Sequence, residues 1–539
     1  MKAPVPGLAS TWHLAPFRGE ALEGLEGAVA TAILPDPFAT ARAGRVVRSH
    51  RHRLAARVSL PAAGPALLKV QQGDEGWRAV LGPLREPRVK REWRAARYLA
   101  GLGVPVAPAW AYGVKRRLWT LRMAFFAARF EEQRVSLREA LTGQPPREAT
   151  ALLQRAGRLV GGLLDRGFVH DDLHPGNILV GRGPGSLAPL LVTDLHRVRL
   201  GTVVTPRVRS LVIARLLHGL IGTVGPAGRQ RVLRAAWGEA LSKNELREAQ
   251  TRVARDMQRL ERRRRASRTR RCLLESGQFT RALPRPWVGV RRRSLSDERI
   301  AELVREHDDA LRARDRRILK DGRKSRITCH GDVVVKESLD SGLGGRLRTR
   351  LAPSRHRRGY VGARRLEVAG VGTARPLAWM RAAGRHLTLL EDLSPFPRLD
   401  HVVRRLARAG SRDALRRLLD ASADHMARLH AMGVYHGDLK GANVLVDDRV
   451  RPPRFHLVDT DSVRLMARPV DAARRWKNLA QLAASIPVSV TRTDRLRWWR
   501  RYASSWPVVG DARTREREAA HRVGRLLARK ILVVDEPIE

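Results

Sequence analysis

The sequence predicts an α+β chain folded twice, as two tandem bilobal domains, each a β-rich lobe followed by a helical lobe. Three observations predict it. The phrase GFVHDDLHPGNILV, from Gly167 to Val180, returns as GVYHGDLKGANVLV, from Gly433 to Val446. His170 and His436 lie 266 residues apart, and Asp172/Asp438 and Asn177/Asn443 keep that interval. Outside the phrase, Lys69 and Lys336 lie 267 apart, and Asp194 and Asp459 lie 265 apart. One period of about half the chain marks a tandem duplication. A length of 539 residues suits two cores, since single cores stop growing near ~250–300 residues.

The elements follow in the same order twice. Residues 1–44, rich in Pro, Gly and Ala, are expected to be a loosely ordered lead-in. Domain 1 is placed at 45–274. Its first part, Arg45 to Val70, alternates as strands around the turn PAAGP, and Arg88 to Leu102 has helical periodicity stopped at Gly103-Val104-Pro105. Arg147 to Arg166 is a second apolar-periodic helix that feeds the first His-x-Asp phrase. The chain then turns helical and basic as far as about Leu274. A basic helical linker is expected at 275–315, and domain 2 at 316–539. There RILKDGRKSRITCHGDVVVKE forms a hairpin, Gly362 to Glu367 is helical, and Asp413 to Met432 is the long helix entering the second phrase. The stretch SGLGGR, Ser341 to Arg346, is expected to be a loop.

Composition narrows the class. Cys272 and Cys329 form no ligand cluster or disulfide framework, which fits a reducing cytosol. The start MKAPVPGLASTWHLAPF lacks a basic segment followed by an apolar core, so no secretory signal is expected. Leu211 to Gly225 is interrupted by Arg215 and His218 and is too short to cross a bilayer, so the chain is expected to be cytoplasmic. The net charge of +51 reads either as attraction to polyanions or as compositional bias, because nearly all of it is Arg. Arg favours bidentate phosphate and carboxylate contacts. Nucleic acid is the weaker partner class, since no aromatic-rich RNA-binding sheet or zinc finger is apparent. The run Glu261 to Arg271 is the first candidate for reversible contact with an anionic membrane surface, although such runs are more often solvated helical faces.

The repeated residues are those that phosphoryl transfer from ATP requires. That reaction needs positioning, Mg²⁺ to neutralise charge, and a carboxylate facing the acceptor hydroxyl. Asp172 and Asp438 are the candidate catalytic aspartates. Asn177 and Asn443, five positions on, offer carbonyl oxygens to Mg²⁺, and Asp194 and Asp459 end the next strand as further hard oxygen ligands. Only four asparagines occur in the chain, and two stand at these positions. Lys69 and Lys336 each close a predicted strand, where a cation would hold the α/β-phosphates of ATP. Glu92, in the next helix, is placed to pair with Lys69. Counting back from Gly370, the second copy has Gly359 there, and Glu367 is out of register. His170 and His436 are expected to stabilise the loop.

On these residues the sequence resembles the lipopolysaccharide kinases, the Kdo/heptose kinase family of the protein-kinase-like superfamily. The resemblance is best in the second copy, in VVVKE, GVGTARPLAW, YHGDLKGANVLV, FHLVDTDSVRL and WKNLAQLAASIPVSVTRTDRLRWWRRYA. The first copy is more distant, and its HDDLHPGN is also similar to aminoglycoside phosphotransferases. The resemblance implies nucleotide lysines at Lys69 and Lys336, catalytic aspartates at Asp172 and Asp438, and metal ligands at Asn177, Asp194, Asn443 and Asp459. It implies an ATP- and Mg²⁺-dependent kinase acting on a sugar hydroxyl of lipopolysaccharide core or a related anionic glycolipid, at the cytoplasmic face of the inner membrane. Neither Asp194-Leu195-His196 nor Asp459-Thr460-Asp461 has the Gly of Asp-Phe-Gly, and no Ala-Pro-Glu segment follows. That favours a sugar or small-molecule acceptor over a protein Ser/Thr kinase role. A pseudokinase or scaffold role for one copy is the other alternative.

Overall fold

The computed structural model describes residues 9–12, 16–50, 52–61, 63–73, 86–117, 120–182, 188–238, 241–322, 325–339 and 354–505. The chain forms two compact units, Met1–Glu261 and Arg262–Glu539.

In the first unit a seven-stranded sheet is built from β1 (Ala9–Trp12), β2 (Arg18–Leu22), β3 (Arg45–His50), β4 (Arg53–Leu60), β5 (Gly64–Gln72), β6 (Ala109–Arg117) and β7 (Thr120–Arg129), in the order β1-β2-β6-β7-β5-β4-β3. Alternation along β4 and β5 buries Leu54, Ala56, Val58, Ala66, Leu68 and Val70 on one face. That leaves Lys69 on the other face, between Ala55 of β4 and Phe126 of β7. The helix Arg88–Gly101 buries Val89, Glu92, Trp93, Ala96 and Leu99, one stripe of an amphipathic helix. It stops at Gly103, whose φ of +68° suits a residue without Cβ.

The helical lobe is organised by Pro146–Asp165. Added Cβ atoms at Gly157 and Gly161 would lie 2.7 Å from Val232 O and 2.8 Å from Ala236 O, so these glycines let Pro226–Trp237 pack closely. Short strands then present the site: β8 (Arg134–Ser136), β9 (Val169–His170), β10 (Ile178–Gly181), β11 (Leu191–Val192) and β12 (Val198–Arg199). The helices Pro206–Gly219, Pro226–Trp237 and Lys243–Arg270 follow.

The second unit repeats this plan. Its seven-stranded sheet joins β13 (Phe279–Thr280), β14 (Val288–Arg292), β15 (Ile318–Gly322), β16 (Ser325–His330), β17 (Val333–Leu339), β19 (Pro376–Ala382) and β20 (Arg385–Glu391) in the order β13-β14-β19-β20-β17-β16-β15. The hairpin expected before Lys336 is a three-strand meander. Arg355–Ala369 is the helix beside this sheet, and Arg412–Ala431 leads to β21 (Val434–Tyr435) and the second phrase. The segment 341–346 lies outside the described residues.

Two segments differ from expectation. Residues 16–44, expected as a loose lead-in, hold β2 and the helices Glu26–Ala32 and Pro37–Ala43, and bury Phe17, Ala21, Val29, Ile33 and Ala41. Glu20 in β2 accepts hydrogen bonds from Trp93 Nε1 at 3.0 Å and Tyr112 OH at 2.9 Å. Residues 275–315, expected as a helical linker, contribute β13 and β14 to the second sheet and the helix Asp297–Ala313. Phe279, Ile300, Leu303 and Ala310 are fully buried there. Burial of these apolar side chains outweighs the Pro, Gly and Arg content that suggested loose structure.

Candidate active site

In the first unit the site assembles around Lys69. Its Nζ lies 2.6 Å from Glu92 Oε1 and 3.2 Å from Asp194 Oδ1. Burial alone would lower the Lys69 pKa, but the charges of Glu92 and Asp194 hold it above its ordinary value. Asp194 takes the left-handed conformation, φ +61°, at the end of β11. Burial pushes its carboxyl up, but the His196 Nδ1 contact at 2.9 Å and the Lys69 charge hold it far below the usual range. Glu92, Asp194 and His196 bring ligand atoms within 4.8 Å of one another, a grouping that suits a cation, and the Lys69 ammonium stands against two of the three.

The loop from His170 to Asn177 is held by its own polar groups. Asp172 N–H donates to His170 Nδ1 at 3.1 Å, and His170 Nε2 lies 3.2 Å from Thr193 O. That fixes a neutral imidazole with its proton on Nε2, in keeping with a pKa lowered by burial. Asn177 Nδ2 donates to Asp172 O at 2.9 Å. The amide nitrogen is thereby committed to the loop, and the carbonyl oxygen is the end available to a cation. Asp172 is partly exposed, 3.4 Å from Arg197 Nη1.

The second unit matches this loop closely. Asp438 N–H donates to His436 Nδ1 at 3.3 Å, His436 Nε2 lies 2.9 Å from Val458 O, and Asn443 Nδ2 donates to Asp438 O at 2.8 Å. Asp459 is again left-handed, φ +55°. Burial works to raise the Asp438 pKa, but Lys440, with Nζ at 3.0 Å, keeps it below the ordinary value.

The surroundings of Lys336 differ. Among the described residues no carboxylate forms a salt bridge with it. Burial pushes its ammonium down, Asp459 and Asp461 offset this only in part, and Arg355 adds to the fall. Glu367 is engaged elsewhere, by Arg292 at 2.6 Å and Arg364 at 2.8 Å. Gly359 occupies the turn of helix facing Asp461, and its carbonyl accepts from Thr460 Oγ1 at 2.7 Å. A Cβ on Gly362 would lie 1.9 Å from Thr460 O, so this helix approaches the Asp459 turn more closely than a larger residue permits. Arg355 Nη2 lies 3.5 Å from Asp459 Oδ2, and Arg355 Nε pairs with Asp461.

Sequence reasoning thus placed all nine named side chains on the elements that form the two sites. It missed His196, Arg197 and Arg355, which touch the site from neighbouring turns. His196 and Asp461 stand at matched positions after the two strand-ending aspartates, and that exchange of a base for an acid was the available signal. The basic run is also partly committed. Arg262 Nη1 donates to Ala467 O at 2.8 Å and Arg265 Nη1 reaches Met432 O at 3.5 Å, while Arg263, Arg270 and Arg271 are exposed.

A β-rich lobe carrying a lysine, above a helical lobe carrying the Asp/Asn loop and a second aspartate, is the protein-kinase-like fold, and the protein is a kinase. It belongs to the lipopolysaccharide kinase (Kdo/WaaP) family, whose sequence model matches residues 69–243 and 345–502, together more than half of the chain. Similar solved structures include "WaaP in complex with acyl carrier protein", at 22% identity, covering 41% of this chain and 90% of that one with a TM-score of 0.31. The PknI kinase domain of Mycobacterium tuberculosis is similar at 16% identity, covering 39% of this chain and 94% of that one with a TM-score of 0.26. No curated protein matches the chain.

Proposed function

We propose that the protein transfers the γ-phosphoryl group of ATP to a sugar hydroxyl of lipopolysaccharide core or a related anionic glycolipid. The observation that carries this reading is Lys69 held between Glu92 and Asp194, beside the Asp172/Asn177 loop. Lys69, kept protonated, would hold the nucleotide phosphates, and Lys336 would do so in the second domain. Asn177 and Asp194, and Asn443 and Asp459, fit Mg²⁺ as hard oxygen ligands: each aspartate is presented at a left-handed turn, and each amide has its nitrogen already engaged. Bound Mg²⁺ supplies charge neutralisation on the transferring group. Asp172 and Asp438 orient the acceptor hydroxyl and take its proton as the new O–P bond forms. Incubation with ATP and rough-core lipopolysaccharide, followed by mass spectrometry of the core, tests the acceptor class. Phosphate found on protein and not on sugar would reject it.

A second reading has a specific observation behind it. Lys336 lacks a carboxylate partner and Arg355 lies on Asp459, which favours a nucleotide-binding, slowly acting or regulatory second domain.

We also place the protein at the cytoplasmic face of the inner membrane. No helix among the described residues is long and apolar enough to cross a bilayer. The net charge of +51 supports reversible attraction to anionic lipid, at about 1 kcal/mol per basic residue near the surface. Co-sedimentation with phosphatidylglycerol vesicles is expected at low salt and is expected to be lost as the Debye length shrinks. Binding indifferent to salt and lipid charge would contradict this.

A further inference from the structure

Beyond its strand-ending aspartate, each unit sends a helix back against the aspartate-bearing loop: Pro206–Gly219 in the first and Ala472–Ser485 in the second. In the second unit one stripe of that helix, Asn478, Gln481 and Ser485, hydrogen-bonds the loop backbone on both sides of Asp438. Asn478, fully buried, donates from Nδ2 to His436 O and accepts from His436 N–H at 3.4 Å. Gln481 donates to Gly437 O at 3.1 Å and accepts from Leu439 N–H at 3.3 Å. Ser485 Oγ accepts from Gly441 N–H at 2.7 Å. Asn478 is a third member of the chain's set of four asparagines, and it too is spent on this loop.

Counting back 266 residues gives Val212, Arg215 and Gly219 for the stripe, and Asp171 and Pro175 for Gly437 and Gly441. Loop and helix have changed together. Where the second unit pairs Gly437 with Gln481, the first pairs Asp171 with Arg215, at 3.0 Å. Where the second pairs the Gly441 N–H with a serine hydroxyl, the first has Pro175, which has no N–H to satisfy. Opposite it stands Gly219, where an added Cβ would lie 2.2 Å from Pro175 Cδ. Two different side-chain sets therefore achieve one contact, which generic helix packing does not require.

We infer that this stripe sets the working geometry of the aspartate loop, with Asn478, Gln481 and Ser485 as positioning residues of the second domain and Arg215 as that of the first. The inference rests on the proposed roles of Asp172 and Asp438. Its physical basis is that buried loop N–H and C=O groups need partners, and that a misplacement of about 1 Å can cost about 10²-fold in rate.

The test uses the full chain in the Asp172→Ala background, so that turnover reports the second domain. ADP formation from Mg·ATP with rough-core lipopolysaccharide gives kcat and KM, and hydrogen exchange follows the amides of Leu439 and Gly441. Ser485→Gly and Gln481→Ala are expected to lower kcat roughly 10- to 100-fold, with KM for ATP little changed and exchange of those amides faster. Asn478→Ala risks misfolding, so the milder pair decides. Arg215→Ala in the Asp438→Ala background is expected to lower first-domain kcat likewise, and is the deciding variant if the second domain is silent. Gly219→Ser should impair the first domain by its clash with Pro175, and adding Pro175→Gly should recover most of the loss. Unchanged kcat in the single variants, or faster exchange with unchanged kcat, would overturn the inference. Undiminished turnover in Asp172→Ala/Asp438→Ala would instead reject the functional reading itself.

Discussion

Asp172→Ala and Asp438→Ala are each expected to remove the turnover of their own domain, and the double variant to form no phosphorylated acceptor, while Mg·ATP still binds. Each aspartate is carried on a loop whose shape does not depend on its carboxylate. His170 and His436 accept from the aspartate N–H, and Asn177 and Asn443 donate to the aspartate carbonyl, so those bonds persist in alanine variants. Only the contacts with Arg197 and Lys440, and a 3.2 Å contact from Asn443 to the Asp438 carboxylate, are lost. The loss should therefore fall on kcat, by about 10²–10⁴-fold for a proton-accepting group, with little change in nucleotide affinity. Asp194→Ala or Asp459→Ala should differ by also weakening Mg·ATP. Steady-state kinetics and nucleotide titration separate the two patterns. Full activity in the double aspartate variant would refute kinase chemistry at these loops.

Much of this architecture was legible because phosphoryl transfer uses few residue types at fixed spacing, and duplication showed each of them twice. The Lys69–Glu92 pair was legible because a strand-end lysine and the next helix have little freedom to meet elsewhere. The sheet edges were not. β2 and β14 are short strands among Pro, Gly and Arg, and their periodicity is too brief to read without the partner strand β6 or β19. The matching sheet orders show that the repeat begins earlier than the motif spacing alone revealed, near Ala9 and Phe279. Arg355 was illegible for another reason: it reaches Asp459 from one helical turn before Gly359, a contact made by tertiary packing and not by local spacing.

That contact leads to the second large effect, in which Glu92→Gln and Arg355→Ala move the two domains in opposite directions. In the first domain Glu92, almost fully buried, is the nearer of the two carboxylates on Lys69. Its neutralisation removes one partner of a charge-assisted bond, worth about 1.5–3 kcal/mol, and should lower first-domain kcat/KM for ATP by roughly 10- to 100-fold. The freed ammonium is then left to Asp194, which competes with that carboxylate's use as a metal ligand. In the second domain no such carboxylate exists to remove, and the helix presents a cation to Asp459. Arg355→Ala should release Asp459 and tighten Mg²⁺-dependent ATP binding. The gain should be only about 2- to 5-fold, since Arg355 is 63% exposed and exposed pairs are worth about 0–1 kcal/mol. Titrations in a Lys336→Ala chain report the first domain, and in a Lys69→Ala chain the second. Equal losses from both substitutions would mean that Arg355 serves the second site as Glu92 serves the first, and that the two copies bind nucleotide with opposite charges in one role.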